Sequence, residues 1–446
     1  MSAAPITAVA DLDERPLSGR QRYAAILVAC GEFIDGYDLL VMGAALVLIR
    51  PQFNLSPQDV GLLGAAAFLG AMIGLLVFGD LSDRLGRRAI FIVNLLFFVV
   101  FAIASAFVTT TWQLFVVRFL VGVGVGMDIP TSTAYLAEIA PRRRRGAMLG
   151  SLLNIMWTVG AMTSTLIALP LLAVFGDAAW RWMLGLAAVP AMLILLGRQG
   201  LPESPRWLLA RGRVEEARQA FAAFGIDART EMLAPVRRRG SYAELLRPPY
   251  RNRVFWVALW FTGNCFAGSI ATIGAPLVIK TVGAVGTSAT MFFSASIWFT
   301  ATIGVMISST LVDRIGRRKL CYLSTACFVI CALIQSRFGE TSAVALVGAF
   351  YGMSLSGWSG NAILGWIWSS ELFPTHLRGR SQGICNGMCR LAISANIFMV
   401  PMALAGIGFS RYIALLALPY ALNAVIVATH PVMEGNQKSL EELAPS

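Results

Sequence analysis

The chain has 446 residues, of which 57% are apolar and only 13% charged, with a formal net charge of +12. Soluble domains carry about 25% charged residues, so a water-soluble globular domain and a disordered chain are both excluded. The apolar share supplies roughly a dozen membrane spans of about 20 residues each.

The first 20 residues are polar, with Asp11, Asp13, Glu14 and Arg15, which is not the pattern of a cleaved signal peptide. Apolar runs bounded by Pro, Gly and charges predict spans near 23–49, 57–79, 90–109, 112–137, 147–174 and 181–200. Six more follow near 254–280, 288–312, 320–336, 342–370, 381–406 and 409–430. The expected organisation is a tail (1–22), a six-helix bundle (23–200), a polar linker (201–253), a second six-helix bundle (254–430) and a second tail (431–446). Within the linker, Val214–Phe224 has amphipathic spacing and predicts a short surface helix. The seven cysteines all fall in apolar runs without metal-ligand spacing, which marks them as small core residues.

Positive charge sets the orientation. With both ends inside, 29 of the 36 Lys and Arg lie in tails and cytoplasmic connections. Five lie outside (Arg50, Arg181, Lys280, Arg337, Arg411) and two, Arg118 and Arg390, within spans. The basic balance is thus the positive-inside signature, and nucleic acid has no claim on it.

An internal repeat supports the split into halves. Gly79-Asp-Leu-Ser-Asp83-Arg84-Leu-Gly86-Arg87-Arg88 recurs as Leu311-Val-Asp313-Arg314-Ile-Gly316-Arg317-Arg-Lys319, an offset of 230 from Asp83 to Asp313. The run from Glu138 to Arg145 and Gly146 recurs as Glu371 to Arg378 and Gly379, an offset of 233 between the glutamates. Two related six-helix halves around a central path form the architecture of an alternating-access transporter.

Charges inside spans each cost about 2.5–3.5 kcal/mol at mid-membrane, so they must be paired, wet or functional. In span one, Glu32, Asp35 and Asp38 fall within about 120° of one another on a helix. That acidic face is expected to line a central cavity. Asp128 in span four stands about 15 Å along the helix from Arg118; it suits a proton or binding role, or an N-cap at a helix broken by Pro130. Arg390 in span eleven lies amid Asn386, Asn396 and Pro401. Its guanidinium suits a bidentate hold on a carboxylate or phosphate, or pairing with an acid of span one or four.

The Gly-x-Leu-x-Asp-Arg-x-Gly-Arg-Arg loops and the Arg118-x-x-x-Gly122-x-Gly-x-Gly126 run resemble the major facilitator superfamily. Leu201-Pro-Glu-Ser-Pro-Arg-Trp-Leu208 and the tail from Glu434 to Glu442 resemble its sugar-porter branch and metabolite-symporter relatives. The resemblance covers essentially the whole chain. It implies an all-α membrane protein with 12 transmembrane helices in two pseudo-symmetric six-helix bundles. Asp38, in its Gly-Tyr-Asp setting, resembles the proton-carrying Asp of that branch, and Arg118 its partner. Met127-Asp-Ile-Pro130 resembles a motif of phosphate symporters and other anion-carrying relatives. Asn154 falls where a sugar-binding Gln of span five would stand, and Trp366 matches the branch's span-ten Trp. Span seven departs from the branch, with Asn264 in Gly263-Asn-Cys-Phe-Ala-Gly268 where a Gln-Gln pair is usual. Losing those donors and acceptors is costly for a hexose.

The expected proton-coupling set is therefore Asp38, Arg118, Asp35, Glu32 and Asp128, and the expected substrate-binding set Arg390, Asn154, Asn264, Trp366, Asn361 and Asn386. Other aromatics, including Trp256, Trp260, Trp298, Trp358 and Trp368, are expected to pack or sit at interfaces. Gly79, Asp83, Arg84, Gly86, Arg87, Glu138 and Arg145, with Asp313, Arg314, Gly316, Arg317, Glu371 and Arg378, are expected to latch the halves through ion pairs. His376 and His430 sit apart from any nucleophile pattern, no nucleotide-binding Gly-Lys motif is present, and neither an enzyme nor a cofactor or metal is expected. The expected partners are a small molecule, protons and the lipid bilayer, without nucleic acid or nucleotide, for a monomer in an inner membrane with both ends cytoplasmic. The expected activity is proton-coupled symport of a small anionic metabolite such as a carboxylate, sugar acid or aromatic acid. The alternatives are a neutral sugar or polyol symporter, a proton-antiport exporter and, least favoured, a transport-dead sensor.

Overall fold

A computed structural model describes residues 12–141, 147–226, 241–248, 250–271, 274–373 and 377–430, without the side chains of Asp83, Ala147, Leu149, Asp313, Ser370, Glu371 and Arg378. The described chain is helical throughout. The first half runs α1 (Gly19–Gln52), α2 (Pro57–Leu85), α3 (Arg87–Phe107), α4 (Thr111–Ile139), α5 (Leu153–Leu166), α6 (Ala168–Phe175), α7 (Ala179–Gly185) and α8 (Ala188–Arg198). The linker supplies α9 (Pro205–Ala210), α10 (Val214–Ala223) and α11 (Tyr242–Leu245). The second half runs α12 (Tyr250–Gly268), α13 (Ala275–Thr281), α14 (Thr287–Ile315), α15 (Arg317–Phe338), α16 (Ala343–Ser359), α17 (Asn361–Glu371), α18 (Arg378–Gly406) and α19 (Phe409–Thr429).

Twelve spans emerge from these pieces. Nine helical stretches among the described residues are long and apolar enough to cross a bilayer. One of them, the 46-residue stretch from Leu153 to Arg198, is about 69 Å long at 1.5 Å per residue and makes two crossings. It turns at Gly176, whose φ of +55° suits glycine. Helix α1 is a further span, its apolar run interrupted by Glu32, Asp35 and Asp38. The tenth span is divided into α16 and α17 at Gly360, where one continuous helix is expected from the sequence.

Several helices run past their apolar segments into the turn regions. Both repeated basic loops are single-glycine turns: α2 ends and α3 begins at Gly86 (φ +102°), and α14 and α15 meet at Gly316 (φ +85°). Ser18, Ser56 and Thr110 cap α1, α2 and α4, each with its backbone N–H accepted in return by the side chain three residues on.

Close helix packing explains the glycine run after Arg118. A Cβ at Gly122 would stand 1.9 Å from the Ala67 carbonyl oxygen, and one at Gly126 would stand 2.3 Å from that of Ala71. Helices α2 and α4 therefore touch backbone to backbone, the small-residue packing that membranes favour where dispersion replaces the hydrophobic effect. Large apolar side chains such as Val100, Leu193, Leu333 and Leu418 point outward instead, toward lipid.

The halves meet along two seams. Helix α2 packs on α18, with Gly61 against the Phe398 carbonyl and Gly64 against Ile397. Helix α5 packs on α14, where the Thr302 hydroxyl donates to Thr158 at 3.0 Å. The predicted linker helix forms as α10 and buries Ala217, Ala220 and Phe221 against Leu12, Trp207, Leu208 and Leu209. Its apolar face thus covers the neighbouring α9.

Candidate functional site: a polar cavity between the halves

A cavity of about 130 Å³ opens between the halves. Its polar lining includes Glu32, Asn154, Asn264, Asn386 and Arg390, and its aromatic lining includes Trp157, Trp298, Trp358 and Trp366. Five of the six expected substrate residues thus share one wall-to-wall space. Asn361 is not among them: it is fully buried at the start of α17, with its side-chain N–H₂ donating to Thr325 at 3.0 Å and its backbone N–H to Ser324. It joins α15 to α17 and does not face the cavity.

Arg390 is about nine-tenths buried, 6% exposed. It forms no ion pair with any described residue, and its Nε has no hydrogen-bond partner. Its guanidinium stands 5.9 Å from the Phe68 ring centre across the seam between α2 and α18. A desolvated guanidinium with open donors is an anion-binding group by its chemistry alone.

The acidic face of α1 divides into three environments. Only Glu32 lines the cavity; Asp35 and Asp38 are fully enclosed, so the expectation that the whole face borders the cavity is corrected. The cause is helix α5, which lies so close that a Cβ at Gly36 would stand 2.0 Å from the Trp157 carbonyl. Asp38 pairs with Arg118, Oδ1 to Nη1 at 3.5 Å, while Arg118 Nη2 donates to the Asp38 backbone carbonyl. Neither Asp38 carboxyl oxygen completes a hydrogen bond. Asp35 has no hydrogen-bond partner on either oxygen.

Asp128 is held quite differently. Arg198 pairs with it at 2.8 Å, Asn94 donates to it at 2.6 Å and Ser132 at 2.9 Å. Arg198 also donates to the Leu27 and Val28 carbonyls and lies 4.3 Å over the Phe91 ring. Helix α4 continues through Pro130, which removes the N-cap reading of Asp128. Arg198, counted from the sequence among cytoplasmic charges, is fully buried at the end of α8. Gly31 makes room for it, since a Cβ there would stand 2.0 Å from its Nη2. One carboxylate oxygen each from Glu32, Asp35 and Asp128 lie within 4.8 Å of one another; Asp128 is already occupied by Arg198.

Sequence reasoning also missed the tryptophans. Trp157 of α5 meets Trp298 of α14 and Trp358 of α16 at centroid distances of 5.6 and 5.5 Å. All three line the cavity, so Trp298 and Trp358 pack as expected and also form part of its wall. Trp157 follows Asn154 by one helical turn and shares its face, a signal the sequence did contain.

At the turn end of the bundle, Arg87 pairs with Glu138 at 2.9 Å. The Glu203 carboxylate accepts the backbone N–H groups of Arg87 and Arg88 at 3.0 and 3.1 Å, capping α3. The first contact lies within the first half and the second ties it to the linker, so neither joins the two halves. An ion pair that joins the halves runs from Asp80 to Arg380 at 3.5 Å, beside Tyr242, whose ring lies 5.7 Å from the Arg380 guanidinium. Arg84 pairs with Asp80 as an exposed i,i+4 contact, Arg314 is exposed and Arg317 buried. The side chains of Asp83, Asp313, Glu371 and Arg378, and the whole of Arg145 and His376, lie outside the described residues.

Residues 24–445 match the family described as sugar (and other) transporter. The chain belongs to that family. It is 32% identical over 406 residues to the putative metabolite transport protein YaaU of Escherichia coli, covering 90% of this chain and 89% of that one. It is 28% identical over 438 residues to the arabinose-proton symporter of Bacillus subtilis, covering 94% of each. Among solved structures it superposes on the proton:xylose symporter XylE with a TM-score of 0.78 at 21% identity, covering 96% of this chain and 99% of that one. The fold is that of the major facilitator superfamily, with two six-helix bundles, and the protein is a multi-pass membrane transporter, not an enzyme. A small molecule is its substrate.

Proposed function

We propose that this transporter carries a small organic anion together with a proton, taking the substrate carboxylate on Arg390. The observation that carries this reading is Arg390 itself, a desolvated, always-charged guanidinium facing the cavity without a carboxylate at ion-pair distance among the described residues. A neutral sugar has no charge to set against that guanidinium, whereas a carboxylate does. Asn154, Asn264, Asn386 and Trp366 complete the site around the rest of the ligand.

Asp38 and Arg118 form the coupling pair. A carboxylate beside a guanidinium keeps its charge, and one separated from it takes a proton. At 3.5 Å, without a completed carboxylate hydrogen bond, this pair is the one built to part. The Asp128–Arg198 pair, with every close donor engaged, holds the first half together. In the proposed cycle Asp38 accepts a proton from the outer side, Arg118 is released, the substrate binds on Arg390, and residues 23–200 and 254–430 rock as two bodies about the cavity. The contacts of Asp80, Arg380 and Tyr242 close the turn end; we assign that end to the cytoplasm from the positive charge around it, for a monomer in an inner membrane.

One proton moving down 100 mV supplies about 2.3 kcal/mol, and each pH unit about 1.4 kcal/mol. A monovalent anion moving with one proton carries no net charge and gains the pH part alone. The test is charge movement and uptake in proteoliposomes with glucose, xylose, gluconate, benzoate and succinate. Uptake of a monocarboxylate driven by a pH gradient, with no response to voltage and no sugar current, supports the proposal. A sugar current that Asp38→Asn abolishes favours the second reading, a neutral-sugar symporter. The arabinose- and xylose-carrying relatives and the amides of the cavity speak for that reading.

A further inference from the structure

Beyond the two turn arginines Arg87 and Arg317, the buried charged residues among those described are four acids and three arginines: Glu32, Asp35, Asp38 and Asp128 against Arg118, Arg198 and Arg390. Two of the acids have an arginine of their own. Glu32 and Asp35 do not, and their carboxylate oxygens lie within 4.8 Å of each other and of Asp128. Among the described residues, the charged and titratable groups around them are Cys30 and Asp38 on α1, Asp128 on α4, Arg198 on α8, Cys265 on α12, Cys389 and Arg390 on α18 and Tyr420 on α19, and α3 and α5 present Asn94, Asn154 and Trp157. Arg198 is committed to Asp128 and to two backbone carbonyls. Arg390 is therefore the one cation left to face two carboxyls, and it shares the cavity with Glu32. Two neighbouring carboxylates buried this deeply resist ionising together against one guanidinium. Asp35, enclosed and without any donor, is where an anion would be least supported.

We propose that Glu32 and Asp35 hold one proton between them, and that the pair, with its single remaining negative charge, is the resident counter-ion of Arg390 that an incoming substrate carboxylate displaces. With that proton in place the empty interior is neutral: each arginine answers one negative charge. A bound monoanion then calls for one further proton, which Asp38 supplies. The displacement step rests on the proposed anion symport; the resident proton does not.

Infrared spectroscopy of the purified full chain in sodium-free lipid nanodiscs at pH 7.5 reads this without any substrate, because only a protonated carboxyl has the high-frequency C=O stretch that shifts in D₂O. The expected result is such a band in the wild type, lost in Glu32→Gln and in Asp35→Asn, and retained in Asp38→Asn. Arg390→Gln or Arg390→Met, which removes the cation, should roughly double it as both carboxyls become protonated. No band in the wild type overturns the proposal whether or not any variant folds. So does a band that survives both single replacements, or one that sodium chloride abolishes where choline chloride does not, since sodium would then take the proton's place. An Arg390 variant with an unchanged band overturns the counter-ion role. Because the protein is empty in this measurement, a failed uptake panel and a failed proton assignment are told apart.

Discussion

Removing Arg198 tests the division of labour between the two buried ion pairs. Asp128 keeps Asn94 and Ser132 as donors when Arg198 becomes Met, but it loses its cation at 2.8 Å while Glu32 and Asp35 remain within 4.8 Å. Breaking a buried pair by deleting one partner costs about 3–5 kcal/mol, and the crowding of acids puts Arg198→Met at the upper end. Asp128→Asn is milder: Arg198 retains the Leu27 and Val28 carbonyls and the Phe91 ring face, so about 2–3 kcal/mol is expected, the upper cost of one unsatisfied buried polar group. The double variant leaves neither charge orphaned and should recover about 1–3 kcal/mol of the summed losses, within the range of contacting pairs. Equilibrium unfolding in mixed micelles, followed by far-ultraviolet circular dichroism and tryptophan fluorescence, measures all four corners of the cycle. Against a net stability of about 5–15 kcal/mol the single losses are large enough to see. Additive losses, or an Arg198→Met variant within about 1 kcal/mol of wild type, would refute the assignment of this pair to structure, because either result means the charges do not meet in the folded protein.

Asp38→Asn should abolish uphill accumulation in proteoliposomes and leave exchange between equal pools; retained accumulation would remove Asp38 from the coupling step. Arg390→Gln should weaken binding of carboxylates about 10- to 150-fold, the equivalent of about 1.5–3 kcal/mol for a hydrogen bond to a charged group, with little change for neutral analogues. Equal losses for both ligand classes, measured by tryptophan fluorescence titration, would make Arg390 a packing residue. Gly122→Val forces α4 away from the Ala67 carbonyl, 1.9 Å from the new Cβ, and overpacking on that scale costs about 1–3 kcal/mol or more. A melting temperature equal to wild type would show that the two helices are not in backbone contact.

The spans were readable because apolar length is a local property, and the two repeated loops gave their turns away through single glycines. What lay beyond reading was pairing between helices. Arg198 follows Leu195, Leu196 and Gly197 and precedes the polar linker, which is how a flanking cytoplasmic cation looks. Only the fold brings it to Asp128, 70 residues away. The acidic face of α1 was visible as a face, but which acid meets the cavity depends on how closely α5 lies against Gly36, and no periodicity encodes that distance. Glu203 carries no signal of its capping role, because its acceptor positions are filled by backbone N–H groups 115 and 116 residues away.

The two ion pairs also show why their geometry matters more than their number. A buried pair with every donor engaged resists separation, since parting it strands a charge in a medium that cannot solvate it. Asp128 and Arg198 have that construction, reinforced from α3, α4 and the backbone of α1. Asp38 and Arg118 share the same depth of burial but lack completed carboxylate hydrogen bonds, so a proton on Asp38 would remove the charge attraction and leave Arg118 only the Asp38 backbone carbonyl. A coupling device needs one such pair and cannot tolerate it everywhere, or protonation would loosen the half that must rock as a body. Under the proposed coupling, placing Arg118 and Asp128 ten residues apart on the same helix α4 would let one proton alter the grip of α1 on Arg118 without disturbing the frame that carries both.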